Sequence, residues 1–173
     1  ISYPEWFRKF ANREHGSYAQ AQAVAEEKLA AARAAKDERE EAYALLALGI
    51  ARSSRSDFAG KARHTAQGLA IAERLGDVPL LSAALLNAGN AAFSLRDFPR
   101  AITFYQRSFD HHTRAGLPVN AAALSNLSRA YRALGDLPRA LDHARQALAL
   151  FEFKENGGDL ISVLGALAQI RSE

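Results

Sequence analysis

The stretch "RDFPRA" at 96–101 returns as "GDLPRA" at 135–140. Looser echoes stand at 56–62, "SDFAGKA", and at 16–21, "GSYAQA". The large residue after the small polar one falls at Tyr18, Phe58, Phe98 and Leu137, at steps of 40, 40 and 39. A phrase copied at such a period marks a tandem array, in which each copy is one supersecondary unit.

The residues around each phrase say what the unit is. Leu124, Leu127, Ala130, Tyr131 and Leu134 recur at steps of three and four, which is one face of a helix. Gly135 can take the left-handed backbone that ends it. Asp136 can cap the next helix, and Pro138 suits a first turn, where no amide donor is needed. Leu137, Ala140, Leu141, Ala144, Ala147, Leu148 and Phe151 then form a second apolar face. Residues 121–153 therefore predict two antiparallel helices joined by a tight turn. The preceding copy repeats the design through Leu85, Ala88, Ala91, Ala92 and Leu95, then Phe98, Ala101, Ile102, Tyr105 and Phe109. The copy before it reads Leu45, Leu48, Ala51, then Phe58, Ala62, Ala66 and Leu69. Ala62 follows Asp57 by five where Ala101 follows Asp97 by four, which predicts one extra residue in that turn. The first copy has a clear second helix at 17–35 and a poorly registered first one.

Loops are expected at 36–40, 75–79, 115–119 and 156–160. They divide the chain into units of approximately 1–40, 41–80, 81–119 and 120–158, with a partial or capping helix at 159–173. That last segment, "LISVLGALAQI", is apolar nearly all round, which predicts truncation or self-association. The first residue is Ile, as in a piece of a longer chain. No sustained period-2 alternation indicates a strand.

Composition agrees with helix. Of 173 residues 49% are hydrophobic, Ala dominates and Pro numbers 5. The formal net charge of +3 is too mild to point to a nucleic-acid binder. With no Cys, disulfides, a thiol nucleophile and Cys-ligated zinc are excluded. The expected localisation is cytoplasmic, since no signal peptide and no membrane-spanning run is seen.

These repeats resemble the tetratricopeptide repeat (TPR), whose pattern is W-x2-L-G-x2-Y, then A-x3-F, then P. The matching residues are Leu124-x2-Leu127-Ser128-x2-Tyr131 with Ala140-x3-Ala144, and Leu85-x2-Ala88-Gly89-x2-Ala92 with Ala101-x3-Tyr105. Leu45-x2-Leu48-Gly49-x2-Arg52 follows with Ala62-x3-Ala66. Gly49, Gly89 and Ser128 each precede the turn Asp by eight. The period resembles the long-repeat variety of bacterial regulators and signalling scaffolds. The resemblance implies an all-α fold, a right-handed superhelical array of antiparallel helix pairs. It also implies that ligands lie against the first helices. The inward positions are Tyr43, Leu46, Ala47, Ile50 and Ser53 in the second unit, and Ala83, Leu86, Asn87, Asn90 and Phe93 in the third. In the fourth they are Ala122, Ser125, Asn126, Arg129 and Arg132. Leu86, Asn87, Asn90, Phe93, Ser125, Asn126, Arg129 and Arg132 are the candidate partner-binding residues. Asn amides can bracket a peptide backbone, and the two Arg suit an acidic group.

No phosphate loop, H-E-x-x-H or G-x-S-x-G motif occurs. Neither a catalytic residue, a metal nor a cofactor is expected. His111, His112 and His143 read as surface or boundary histidines. Arg96, Arg100, Arg107, Arg114, Arg139 and Arg145 read as a solvated outer face. An RNA-binding surface would interleave aromatics with them, and none is evident in the pattern. The expected function is a non-catalytic protein-interaction module binding a peptide or partner, within a bacterial regulatory or scaffold protein. Alternatives are a signal-peptide sensor that switches an attached effector, a self-association module, and an enzyme or nucleic-acid module framed on this fold. Neither nucleic acid nor membrane is an expected partner.

Overall fold

The computed structural model describes residues 3–11, 17–53, 57–116 and 121–152. Among these residues there are eight helices and no strand. They are α1 (Glu5–Ala11), α2 (Tyr18–Ala35), α3 (Glu38–Ser53), α4 (Phe58–Leu75), α5 (Val78–Ser94), α6 (Phe98–Arg114), α7 (Ala121–Ala133) and α8 (Leu137–Glu152). The chain divides into two compact units, Ile1–Leu95 with α1–α5 and Arg96–Glu173 with α6–α8. The "LISVLGALAQI" segment, the loop at 156–160 and most of the loop at 115–119 lie outside the described residues.

One local device starts five of the helices. Asp37, Asp57, Asp77, Asp97 and Asp136 each accept the amide hydrogen of the residue three further on. The acceptor distances are 3.0 Å to Glu40, 2.8 Å to Gly60, 2.9 Å to Leu80, and 3.2 Å to both Arg100 and Arg139. Each such cap is worth about 1 kcal/mol. The first four stand twenty residues apart, so the array is punctuated at every half-unit. Just before four of them the backbone turns left-handed, at Lys36 (φ 55°), Gly76 (65°), Arg96 (62°) and Gly135 (82°). Glycine does this freely, whereas Lys36 and Arg96 carry a Cβ and give up about 1 kcal/mol for the same turn. Ser17 starts α2 by a reciprocal capping box with Gln20.

In the first unit, α3 and α4 cross closely at glycines. A Cβ built on Gly49 would stand 2.6 Å from Thr65 Oγ1 and 3.4 Å from the Lys61 carbonyl oxygen. One on Gly68 would stand 3.0 Å from Leu46 Cδ2 and 3.1 Å from the Ala42 carbonyl oxygen. Residue 42 thus meets 68 while 49 meets 61 and 65, so the pair runs antiparallel.

These contacts correct the sequence register of α4. Lys61, not Ala62, follows the capping Asp57 by four, and so occupies the place of Ala101 and Ala140. There is no extra residue in the turn. Lys61 is 8% exposed, while Ala62 is half-buried and Ala66 exposed. The Lys61 Nζ donates to the Asn90 carbonyl oxygen at 3.1 Å and to Ser94 Oγ at 3.0 Å. A long side chain where the sister copies carry Ala therefore bolts α4 to α5.

Helix α1 is held by aromatic packing. Phe7 lies 4.8 Å from the Tyr43 ring, and Tyr3 meets the same ring edge-on at 6.3 Å. Arg39 sits over Tyr43 at 5.2 Å. Trp6 Nε1 donates to Glu40 Oε2 at 2.9 Å, with Lys28 over the indole at 5.9 Å. Burial pushes the Tyr3 and Tyr43 phenols up, and Tyr105 likewise in the second unit. The folded chain then holds protons that the unfolded chain releases near pH 10. Stability is complete below that pH and is lost as pH rises above it. Alkaline titration read by phenolate absorbance should therefore show a late-ionising fraction from Tyr3, Tyr43 and Tyr105. The late fraction is expected to ionise together with loss of helical circular dichroism.

In the second unit, Leu124 of α7 packs with Ala147 of α8, with Phe109, Ala121, Leu148 and Leu150 around them. Toward the turn, Ala140 and Ala144 accommodate Tyr131 and Leu141. Residue 124 meets 147 while 131 meets 140, which is again an antiparallel pair.

Candidate functional site

The expected site residues fall on α5 in the first unit and α7 in the second. On α5, Leu86, Asn87, Asn90 and Phe93 are half-buried along one side, while Ala84, Leu85, Ala88 and Ala91 are buried. Asn87 Nδ2 donates to the Ala83 carbonyl oxygen at 2.9 Å, so part of its amide is engaged within its own helix. The Asn90 carbonyl accepts both Lys61 and, at 2.8 Å, Ser94 Oγ. The backbone at this position is thus braced from α4, a link that the sequence register concealed.

On α7, Arg129 is exposed, and Ser125, Asn126 and Arg132 are half-buried. Arg129 Nη1 donates to Asn126 Oδ1 at 3.3 Å, and Ser125 Oγ donates to the Ala121 carbonyl oxygen at 3.0 Å. Arg129 also reaches the field of Tyr105, where it works against the burial that raises that phenol. The helix carries two arginines and no acidic residue, so its exposed side is positive.

The third expected wall is different. Tyr43, Leu46 and Ala47 are fully buried, and Ile50 is partly open. Helix α1 covers Tyr43, and Leu46 turns toward Gly68. The apolar character of this stretch is therefore internal packing rather than an open ligand surface.

Ion pairs occur in both units. In the first, Arg33 pairs with Glu41 at 2.9 Å, Arg39 with Asp77 at 2.9 Å, Arg52 with Asp57 at 2.7 Å, and Arg74 with Glu38 at 2.7 Å. The Gly60 amide and then Arg52 hold the Asp57 carboxyl below its usual range. At Asp77 burial opposes the charge, but the Leu80 amide and Arg39 outweigh it. In the second unit Arg139 meets Asp136 at 3.3 Å and also lies over Tyr131 at 5.6 Å.

Among the described residues no three His, Cys, Asp or Glu side chains gather around a metal-sized site. His143 stacks on Tyr131 with ring centroids 5.4 Å apart and planes 9° from parallel. Burial pushes the His143 and His112 rings below the ordinary histidine range. The six arginines of the expected outer face are all exposed. Contrary to the sequence reading, aromatics do accompany them: Arg96 lies over Phe98 and Arg100 over Phe104, each at 5.6 Å.

Helical hairpins crossing at small residues and started by Asp caps at a fixed step define a helical-repeat protein. Residues 80–152 match the Tetratricopeptide repeat family. Repeats of this family generally mediate protein–protein interaction. Solved structures share the fold. BtubC (BKLC) from P. vanneervenii superposes with a TM-score of 0.74 at 20% identity, over 89% of this chain and 65% of that one. The apo form of RapI gives 0.71 at 11% identity, over 90% of this chain and 63% of that one. A kinesin light chain from Podosopora anserina, with nearly identical TPR-like repeats, gives 0.66 at 18% identity over 99% and 96%. The chain spans less than two thirds of the length of BtubC and of RapI. No curated protein matches it in sequence. Among the described residues no helix is long and apolar enough to cross a membrane.

Proposed function

We propose that this chain is a non-catalytic interaction module that holds an extended peptide segment of a partner protein against the first helices of its repeats. The α7 side supplies the anchor for an acidic group. The observation that carries this reading is the make-up of that side: Arg129 exposed, Arg132 and Asn126 half-open, and no carboxylate anywhere on the helix. Arginine presents a planar fork of donors that matches a carboxylate. In the first unit, taken by itself, the α5 side carries Asn87 and Asn90 with Leu86 and Phe93, a mixture that can take backbone amides and one apolar side chain. Such a role suits a regulatory or scaffold protein, since it asks only for a shaped, polar helix side.

An array of extended peptides with and without acidic residues, probed with the labelled chain, tests it. Acidic peptides should be retained. The paired change Arg129→Ala and Arg132→Ala should weaken them about tenfold or more, since hydrogen bonds to charged groups contribute ~1.5–3 kcal/mol each. Asn87→Ala with Asn126→Ala should weaken neutral and acidic peptides alike. Helical circular dichroism should be unchanged in both. Equal retention by wild type and both variants would remove the reading.

A further inference from the structure

The turn end of the α7–α8 pair carries a contact that no repeat position calls for. Arg139 and His143 stand four residues apart on α8, and so share one face of that helix. Both pack on the Tyr131 ring of α7. The imidazole stacks at 5.4 Å, with planes 9° apart, and the guanidinium lies over the ring at 5.6 Å. Arg139 also pairs with Asp136 at 3.3 Å, the residue that caps α8 through the Arg139 amide. His143 itself is half-buried, and its Nδ1 is buried with no hydrogen-bond partner among the described residues.

That arrangement suits a neutral ring and not a charged one. With its proton on Nε2, the ring leaves only a lone pair unmatched at Nδ1. An imidazolium must place an N–H donor there, and a buried charge without a partner costs more than a buried neutral group. An aromatic face can attract a cation, but Arg139 already lies over this one. A second positive charge four residues along α8 would repel it. The charged residues of α7 are Arg129 and Arg132, which also disfavour a proton. Helix α6 reaches the pair through apolar Phe109, beside Leu124 and Ala147. The opposing influence is Asp142, an exposed neighbour on α8 whose carboxylate accepts Gln146 Nε2 at 2.8 Å.

We propose that the contact of His143 with Tyr131 is an acid-operated catch. It is closed while the ring is neutral. When the ring takes a proton it opens and loosens the last turn of α7, which carries Arg129 and Arg132. Its consequence for partner binding rests on the reading of α7 given above; the catch itself does not. Burial holds the His143 ring below the ordinary histidine range, and the field of Asp142 offsets only part of this. Above about pH 6.5 the ring is neutral in the closed and open forms alike. As the pH falls through that value, the open form takes the proton first. Closure therefore weakens with acid, and the loss is complete below the lowered value of the closed form.

The test uses the whole chain and its His143→Phe variant, which keeps a flat ring on Tyr131 and cannot take a proton. The imidazole resonance missing from the variant's proton spectrum identifies His143, and it should titrate below the ordinary range. Amide protection in α7 and α8, corrected for the intrinsic exchange rate, should fall between about pH 7.5 and about pH 5.5 in the wild type. It should hold steady in His143→Phe. His143→Gln, which cannot take a proton either, serves as a second variant and should be equally insensitive. A fluorescent extended peptide rich in Glu stays ionised over this range. The wild type should release it at the acid end, and His143→Phe should retain it. If that peptide fails to bind even at neutral pH, the reading of α7 falls, and the exchange result still decides the catch. Titration of His143 at or above the ordinary range, steady protection in the wild type, or an equal loss in both variants would each overturn the proposal.

Discussion

Replacing Tyr43 by Ala is expected to cost about 3–5 kcal/mol, the range for deleting a buried aromatic ring. The ring is completely buried. It is the surface on which Phe7 and Tyr3 rest, so its loss removes the seat of α1 as well as its own packing. The chain has one tryptophan, Trp6, and it lies on α1 with its indole N–H on Glu40. Undocking should shift its emission to the red. Chemical denaturation followed by that emission and by circular dichroism measures both effects. Tyr43→Phe should behave in the opposite way. The Tyr43 hydroxyl is buried without a hydrogen-bond partner among the described residues. Removing an unsatisfied buried group relieves a cost of about 1 kcal/mol or more. Unchanged stability in the Ala variant, or a large loss in the Phe variant, would refute this account of how α1 is held.

Gly68→Leu is the second large effect. A side chain at 68 gains up to about 1 kcal/mol of helix propensity over glycine. It must, however, enter the space between α4 and α3, where the nearest atoms include the Ala42 carbonyl. Backbone cannot rotate out of the way, so the helices must separate. Overpacking of this kind costs ~1–3 kcal/mol, occasionally more, and leucine adds further atoms beyond Cβ. A net loss of about 2 kcal/mol is expected, read as a lower denaturation midpoint. Gly49→Ala should be milder. Its closest neighbour is the Thr65 hydroxyl, which can turn about χ1 and has no hydrogen-bond partner among the described residues to lose. If the leucine variant proved as stable as wild type, the close crossing of α3 and α4 would be wrong.

Much of the helix plan was legible because its signals are local. A Gly or other left-handed residue followed by Asp stops one helix and starts the next within a few bonds, and the "GD" at 135–136 announced this directly. The full series Asp37, Asp57, Asp77 and Asp97 was equally open to a count of twenty, although the longer period drew attention first. The α4 register was misread for a physical reason. Ala62 is the residue type the pattern asks for, and a lysine is seldom buried. Lys61 nevertheless takes the inner position, because its long stem reaches past the crossing to oxygen acceptors on the next helix.

The candidate site divides in the same way. Repeat position alone picked out Leu86, Asn87, Asn90 and Phe93 on α5, and Ser125, Asn126, Arg129 and Arg132 on α7. Identical logic placed Tyr43, Leu46 and Ala47 on an open wall, where α1 and α4 in fact enclose them. The seat of α1 on α3 joins residues more than thirty apart, and no periodicity reports such a partner.

From its order of residues alone, the chain determined where most helices begin and end, that small residues mark the crossings, and that the copies are helical hairpins. Caps, turns and the 3.6-residue period act over a few neighbours and are written wherever those neighbours are. Only the tertiary structure decided which apolar faces are covered, that a buried lysine ties α4 to α5, and that arginines lie over phenylalanines on α6. Those outcomes depend on which distant surfaces exclude water from one another.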